Sequence, residues 1–169
     1  MRVRKSRECG AGGEALKTNA SRILEARGIP HEQITYDSSD GAIDAIAVAD
    51  KIGAVHEQVF KTLVARGDKT GLCVFCIPGP FELDLKKAAA ASGNKKVEMI
   101  AVKELLPLTG YVRGGCSPIG MKKQFPTWID ETAQLFDRIH ISAGAHGAQL
   151  LLNPAYLAEV VEAAFVDLT

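Results

Sequence analysis

The chain is expected to fold as a single compact α/β domain, a mixed and mostly antiparallel sheet with surrounding helices. Three observations predict it. Capped helical patterns alternate with short apolar runs along the chain. Two of those runs, residues 59–65 and 72–77, are joined by the polar stretch Arg66-Gly67-Asp68-Lys69-Thr70-Gly71, which suits an antiparallel hairpin. The 169 residues, 47% of them hydrophobic, contain no repeat, low-complexity tract or linker that would divide a core.

Taken in order, residues 1–16 are basic and then glycine-rich, without a secretory apolar stretch, and read as a flexible tail; residues 17–169 form the domain. Thr18 caps a helix carrying Ile23, Leu24 and Arg27, which stops at Gly28 before Pro30. Residues 32–36 read as a short strand, and Ile46, Val48, Ala49 and Ile52 mark a second helix ending at Gly53. After the hairpin and Pro78-Gly79-Pro80, Asp84 caps an alanine-rich helix over 85–91 that closes at Gly93. Residues 96–100 follow as a strand, and 102–106 as a short helix at best. Beyond a glycine-rich loop, strands are predicted at 127–129, 138–142 and 149–152. Pro154 then opens a terminal helix with Leu157, Val160, Val161 and Phe165 inward.

Lysine plus arginine and aspartate plus glutamate each total 20, so net charge does not announce a nucleic-acid binder and DNA is not expected as a partner. The pairs Lys86-Lys87, Lys95-Lys96 and Lys122-Lys123 form either a local basic patch or a solvated face. No apolar run is long enough to span a bilayer, and four cysteines fit a reducing compartment, so a cytoplasmic location without membrane contact is expected. Cys73-Val74-Phe75-Cys76 lies in a strand-like run where residues three apart face opposite ways, which reads as two structural thiols. The histidines at 31, 56, 140 and 146 lack paired-ligand spacing, so no metal and no cofactor are expected.

Three segments can carry chemistry. Lys61 interrupts the apolar run 59–65 on the side of Val59, Leu63 and Ala65; its ammonium either snorkels from a strand end or lines a cleft and meets an anion. Residues 110–123 hold closely spaced glycines whose amides can cradle an anion or an oxyanion, or form a plain turn. Residues 142–147, Ser142-Ala143-Gly144-Ala145-His146-Gly147, form either a pocket edge or an ordinary bend.

In combination these segments resemble the YbaK/EbsC-type aminoacyl-tRNA deacylases, freestanding relatives of the editing domain inserted in bacterial prolyl-tRNA synthetase. The resemblance runs from about residue 17 to about residue 167. It rests on Val59-Phe60-Lys61-Thr62-Leu63, Leu83-Asp84-Leu85-Lys86-Lys87, Lys95-Lys96-Val97-Glu98-Met99, Thr109-Gly110-Tyr111, Gly114-Gly115-Cys116-Ser117-Pro118-Ile119-Gly120 and Ser142-Ala143-Gly144. It implies a proofreader acting in trans, which removes cysteine from mischarged proline tRNA with the substrate's own thiol as nucleophile. The acceptor end of an aminoacyl-tRNA is the implied partner, with docking on prolyl-tRNA synthetase left open.

By the same resemblance Lys61 is the critical lysine, and Gly115 and Cys116 belong to the loop whose backbone orients the ester carbonyl. Tyr36, Phe60, Gly114, Ser117, Pro118, Ser142 and Gly144 are the implied substrate-binding positions. The chain departs from its relatives at Ala145-His146, where a Lys-Arg pair is frequent, at Gln149, where aspartate is frequent, and at residues 42–45, which lack an aromatic. A deacylase for another small amino acid such as alanine, a hydrolase using Cys116 with His140 or His146, and a binding module without turnover are the competing readings.

Overall fold

The computed structural model describes residues 17–169; the predicted tail, with Cys9, lies outside the described residues. Eight strands and five helices are formed by these residues. Helix α1 (Asn19–Ala26) begins in a reciprocal cap, the Thr18 hydroxyl accepting from the Ser21 amide at 3.1 Å while the Thr18 amide donates to Ser21 Oγ at 3.0 Å. Strand β1 (His31–Thr35) follows one residue earlier than its apolar pattern predicts. Asp44 caps α2 (Ala45–Ile52) through the Ala47 amide, and a short 3-10 turn at His56–Gln58 leads into the hairpin β2 (Phe60–Gly67) and β3 (Gly71–Pro78). Asp84 accepts from the amides of Lys86 and Lys87 at the start of α3 (Leu85–Ser92), and β4 (Val97–Met99) comes next.

Helix α4 (Val102–Thr109) is a correction to the sequence reading: it runs eight residues and contains Pro107. Glu104 accepts from the Ala101 amide at its start. At its end Thr109 Oγ1 donates to the Leu105 carbonyl and the Gly110 amide to that of Leu106, so the last turn closes despite the proline. Strands β5 (Thr127–Asp130), β6 (Ile139–Ser142) and β7 (Ala148–Leu152) match expectation, apart from a 3-10 turn at Glu131–Leu135. Helix α5 (Pro154–Val161) stops before Phe165, which lies in a further strand, β8 (Ala164–Val166), not on the inner face of the helix.

The strands divide between two sheets, β1-β7-β6 and β4-β2-β3-β5-β8. The first is antiparallel; in the second β3, β5 and β8 run parallel and the β4-β2-β3 part is antiparallel. Lys61, Leu63 and Ala65 of β2 pair with Ile77, Phe75 and Cys73, and that face packs on Ala88 and Ala89 of α3. Phe75 also stacks on its β5 neighbour Trp128, centroids 5.5 Å apart. The opposite face sends Phe60 and Cys76 into the main core with Ile139, Ile141, Leu150 and Leu152. Cys73 and Cys76 therefore sit in different cores on opposite faces of β3, as two separate buried thiols.

The two sheets touch edge to edge at one isolated parallel bridge, Val59 to His140. β4 covers β2 only from Ala65 to Gly67, so the first half of β2 keeps an unpaired edge facing the unpaired edge of β6. Continued pairing in that register would bring Lys61 opposite Ser142. The strands part there, and the cleft lies between them.

Candidate active site

A cleft of about 690 Å³ occupies this seam, within the size range of small-molecule sites, about 300–1,000 Å³. Both faces of the β2 edge line it, because the strand enters it edge-on: Phe60 and Thr62 from one face, Lys61 and Leu63 from the other. Residues around α2 and α4 close the sides, and Gly114, Cys116, Ser142 and Gln149 complete the wall.

Lys61 is half-buried and donates from Nζ to the Gly79 carbonyl at 3.1 Å. Burial lowers its pKa from the ordinary lysine value, while the carboxylates of Glu82 and Asp44 oppose that shift. It forms no salt bridge among the described residues and lines the cleft, where its ammonium has donors beyond the one given to Gly79.

The two glycine-rich segments are bound together. His146, exposed at the surface, places Nε2 2.8 Å from the Arg113 carbonyl and so ties loop 110–123 to loop 142–147. The buried Tyr111 hydroxyl donates to the Ile119 carbonyl at 2.6 Å, and its ring lies against Gly144, where an added Cβ would stand 2.7 Å from Cε1. Gly114 sits equally close to Ile43. Ser142 Oγ accepts from the Gly144 amide at 3.1 Å and holds that bend.

Of the positions singled out from sequence, Lys61, Phe60, Gly114, Cys116 and Ser142 line the cleft together. Gly115, Ser117, Pro118, Gly144 and Tyr36 do not line it. Gly115 packs on the backbone of Ala145 and His146, Ser117 is fully buried with Oγ accepting from the Ile119 amide, and Pro118 is buried beside it. Tyr36 places its ring 5.8 Å from the Lys51 ammonium.

Cys116 is buried, and burial pushes its thiol up to about 12. Cys76, wholly buried, is likewise raised to about 12, partly by Cys116 nearby. Neither His140 nor His146 hydrogen-bonds Cys116, so the dyad required of a cysteine nucleophile is not formed.

Among the described residues three buried polar side-chain atoms have no partner: Tyr36 Oη, His140 Nδ1 and Gln149 Oε1. Ladder neighbours share a face, and Gln149 stands opposite both Ile34 and Ser142 while His140 stands opposite Leu151. Gln149 and His140 therefore share one face of the β1-β7-β6 sheet, the face from which Ser142 and Gln149 line the cleft, away from the core side of Ile139, Ile141, Leu150 and Leu152. An unpaired buried polar atom costs about 1–3 kcal/mol, and Gln149, only 5% exposed, keeps its unpaired oxygen in the cleft wall.

Sequence reasoning passed over Asp44 and Arg113 as cleft residues. Asp44 was detectable as a capping residue before an apolar helical run. Arg113 carried no signal of its own inside the glycine loop.

The profile of the aminoacyl-tRNA editing domain family matches residues 40–160. The chain is 48% identical over 153 residues to EbsC of Enterococcus faecalis, a candidate Cys-tRNA(Pro)/Cys-tRNA(Cys) deacylase, covering 90% of this chain and 93% of the other. It is 29% identical over 134 residues to the proline–tRNA ligase of Shouchella clausii, covering 79% of this chain and 22% of the ligase. A crystal structure of a candidate trans-editing enzyme for prolyl-tRNA synthetase has a TM-score of 0.79 at 27% identity, covering 90% of this chain and 98% of that one. With the profile spanning most of the domain and a relative matched nearly end to end, the chain belongs to the aminoacyl-tRNA editing domain family.

Proposed function

We propose that the protein is a deacylase that removes cysteine from mischarged tRNA, with the substrate's thiol as the nucleophile. The observation that carries this reading is the Lys61 ammonium on the open β2 edge, in a cleft where the described residues form no nucleophile–base pair. The cysteine sulfur attacks its own ester carbonyl, the C–S bond of a thiolactone forms, the ester C–O bond breaks, and the thiol proton passes to the departing ribose oxygen. Lys61 stabilises the charge that develops on the ester, and the backbone amide of Cys116, at the cleft wall, orients the carbonyl. Gln149 Oε1, lacking a partner, accepts a hydrogen bond from the substrate's α-ammonium. A Cys-tRNA substrate agrees with the name borne by the 48%-identical relative.

Deacylation of tRNA charged separately with cysteine, alanine, serine and proline tests this. Cysteine alone is expected to leave rapidly. Release of alanine or serine would require an activated water or ribose hydroxyl and would overturn the thiol route; no release at all would favour a binding role.

Cys116→Ser separates the proposed chemistry from an enzymic thiol. The backbone amide at 116 is unchanged, so the variant is expected to lose no more than about threefold in kcat/KM, whereas loss of a true nucleophile costs more than about a thousandfold.

A further inference from the structure

A second groove, of about 250 Å³, opens off the cleft and is lined by Lys61, Leu63, Glu82, Leu83, Leu85 and Met99. It shares Lys61, Leu63 and Met99 with the cleft, so the two spaces meet along one wall. Resting on the deacylase reading, we propose that this groove seats the penultimate base of the tRNA, the cytosine preceding the terminal adenosine of the CCA end.

The chemistry of the lining selects that occupant. Leu63, Leu83, Leu85 and Met99 offer apolar walls for the faces of a flat ring, and a methionine sulfur packs well on aromatic rings. Leu85 and Met99 keep 43% and 45% of their surface exposed, apolar area that a base would cover. Glu82 is the groove's acceptor. Its carboxylate lies near enough to Lys61 to raise that lysine's pKa, yet forms no salt bridge with it. An anionic group seated there would meet repulsion, whereas the exocyclic amine of cytosine is the donor that a glutamate accepts from. Uracil would turn a carbonyl toward the same carboxylate. In this seating the chain passes from the cleft to the groove across the wall the two share, and the Lys61 ammonium stands at that wall, where the intervening phosphodiester would pass.

The test uses the full chain and three substrates: cysteinyl-tRNA ending in CCA, the same tRNA ending in CUA, and 3′-cysteinyl-adenosine released from the charged tRNA by nuclease. The wild type is expected to prefer CCA over CUA by about five- to tenfold in kcat/KM, in keeping with a single exposed base contact. Glu82→Ala should raise KM for the CCA substrate by a similar factor with kcat changed less, abolish the CCA preference, and alter cleavage of cysteinyl-adenosine far less than cleavage of the CCA substrate. Leu85→Ser, at an exposed position, should raise KM for both tRNAs and not for cysteinyl-adenosine.

Equal wild-type rates on CCA and CUA, a lower KM for tRNA in Glu82→Ala, or equal losses on tRNA and cysteinyl-adenosine would each overturn the subsite while leaving the deacylase reading standing. A wild type inactive on all three substrates would overturn both.

Discussion

Lys61→Ala is expected to reduce kcat/KM for deacylation by on the order of 100-fold or more, the loss typical of removing one charge-stabilising donor from a reaction site. Thermal stability should hold or rise slightly. The half-buried ammonium pays a desolvation penalty that a single bond to the Gly79 carbonyl and two nearby carboxylates offset only in part. Parallel loss of activity and Tm would mean instead that the lysine is a structural strut. Lys61→Arg should not restore the rate, since a planar guanidinium cannot present a point charge from the same place.

A pH profile sharpens this prediction. Burial lowers the Lys61 pKa below 10.5, and the cation is the active form, so activity, corrected for spontaneous ester hydrolysis, should fall as pH rises through that lowered value. Stability moves the other way. Between the folded pKa and 10.5 the unfolded chain holds the extra proton, so raising the pH through this window favours the folded state at this group. Activity that declines while the fold does not loosen would identify Lys61 as the titrating group, and the alkaline limb should be absent from any residual activity of Lys61→Arg.

Gly144→Ala should have the second large effect, a destabilisation of about 2–4 kcal/mol with most of the activity lost. The backbone at Gly144 has φ +94°, and the new methyl would stand 2.7 Å from Tyr111 Cε1. The ring cannot retreat, because its hydroxyl is held by the Ile119 carbonyl and its surroundings are buried. Relief has to come from moving loop 110–123 or the bend at 142–147, and both carry cleft walls. Gly28→Ala is the control: it shares a positive φ, +67°, but nothing lies within 4 Å of the added carbon, so only the backbone strain of about 1–2 kcal/mol remains. Denaturant midpoints of the two variants separate clash from strain, and equal losses would show that Tyr111 adapts.

The sequence made local structure legible where a short-range rule decides it. Thr18, Asp84 and Pro154 mark helix starts because a cap needs only its own next few amides, and the alternation in 59–65 places Lys61 with Leu63 and Ala65 as observed. Beyond the β2–β3 hairpin, which its polar turn announced, pairing partners were not legible. Nothing near Val59 announces His140, and the separation of the two sheets beyond that contact depends on elements about 80 residues apart. β8 escaped notice because Phe165 continues the apolar period of α5, and only the left-handed turn at Glu162, φ 53°, breaks it. Lys61 drew attention as a charge in an apolar run. Gln149 drew attention only as a departure from its relatives, since its missing partner is visible only once Ser142 and Ile34 stand beside it.

The buried thiols have a consequence for chemical durability. Peroxides and disulfides react with thiolates, and a group raised to about 12 is ionised in roughly one molecule in 100,000 at neutral pH. Cys76 and Cys116 are therefore poor targets for oxidants. On the proposed chemistry the reactive sulfur arrives with each substrate and departs with each product, so oxidative damage to one sulfur costs one turnover and leaves the catalyst intact for the next.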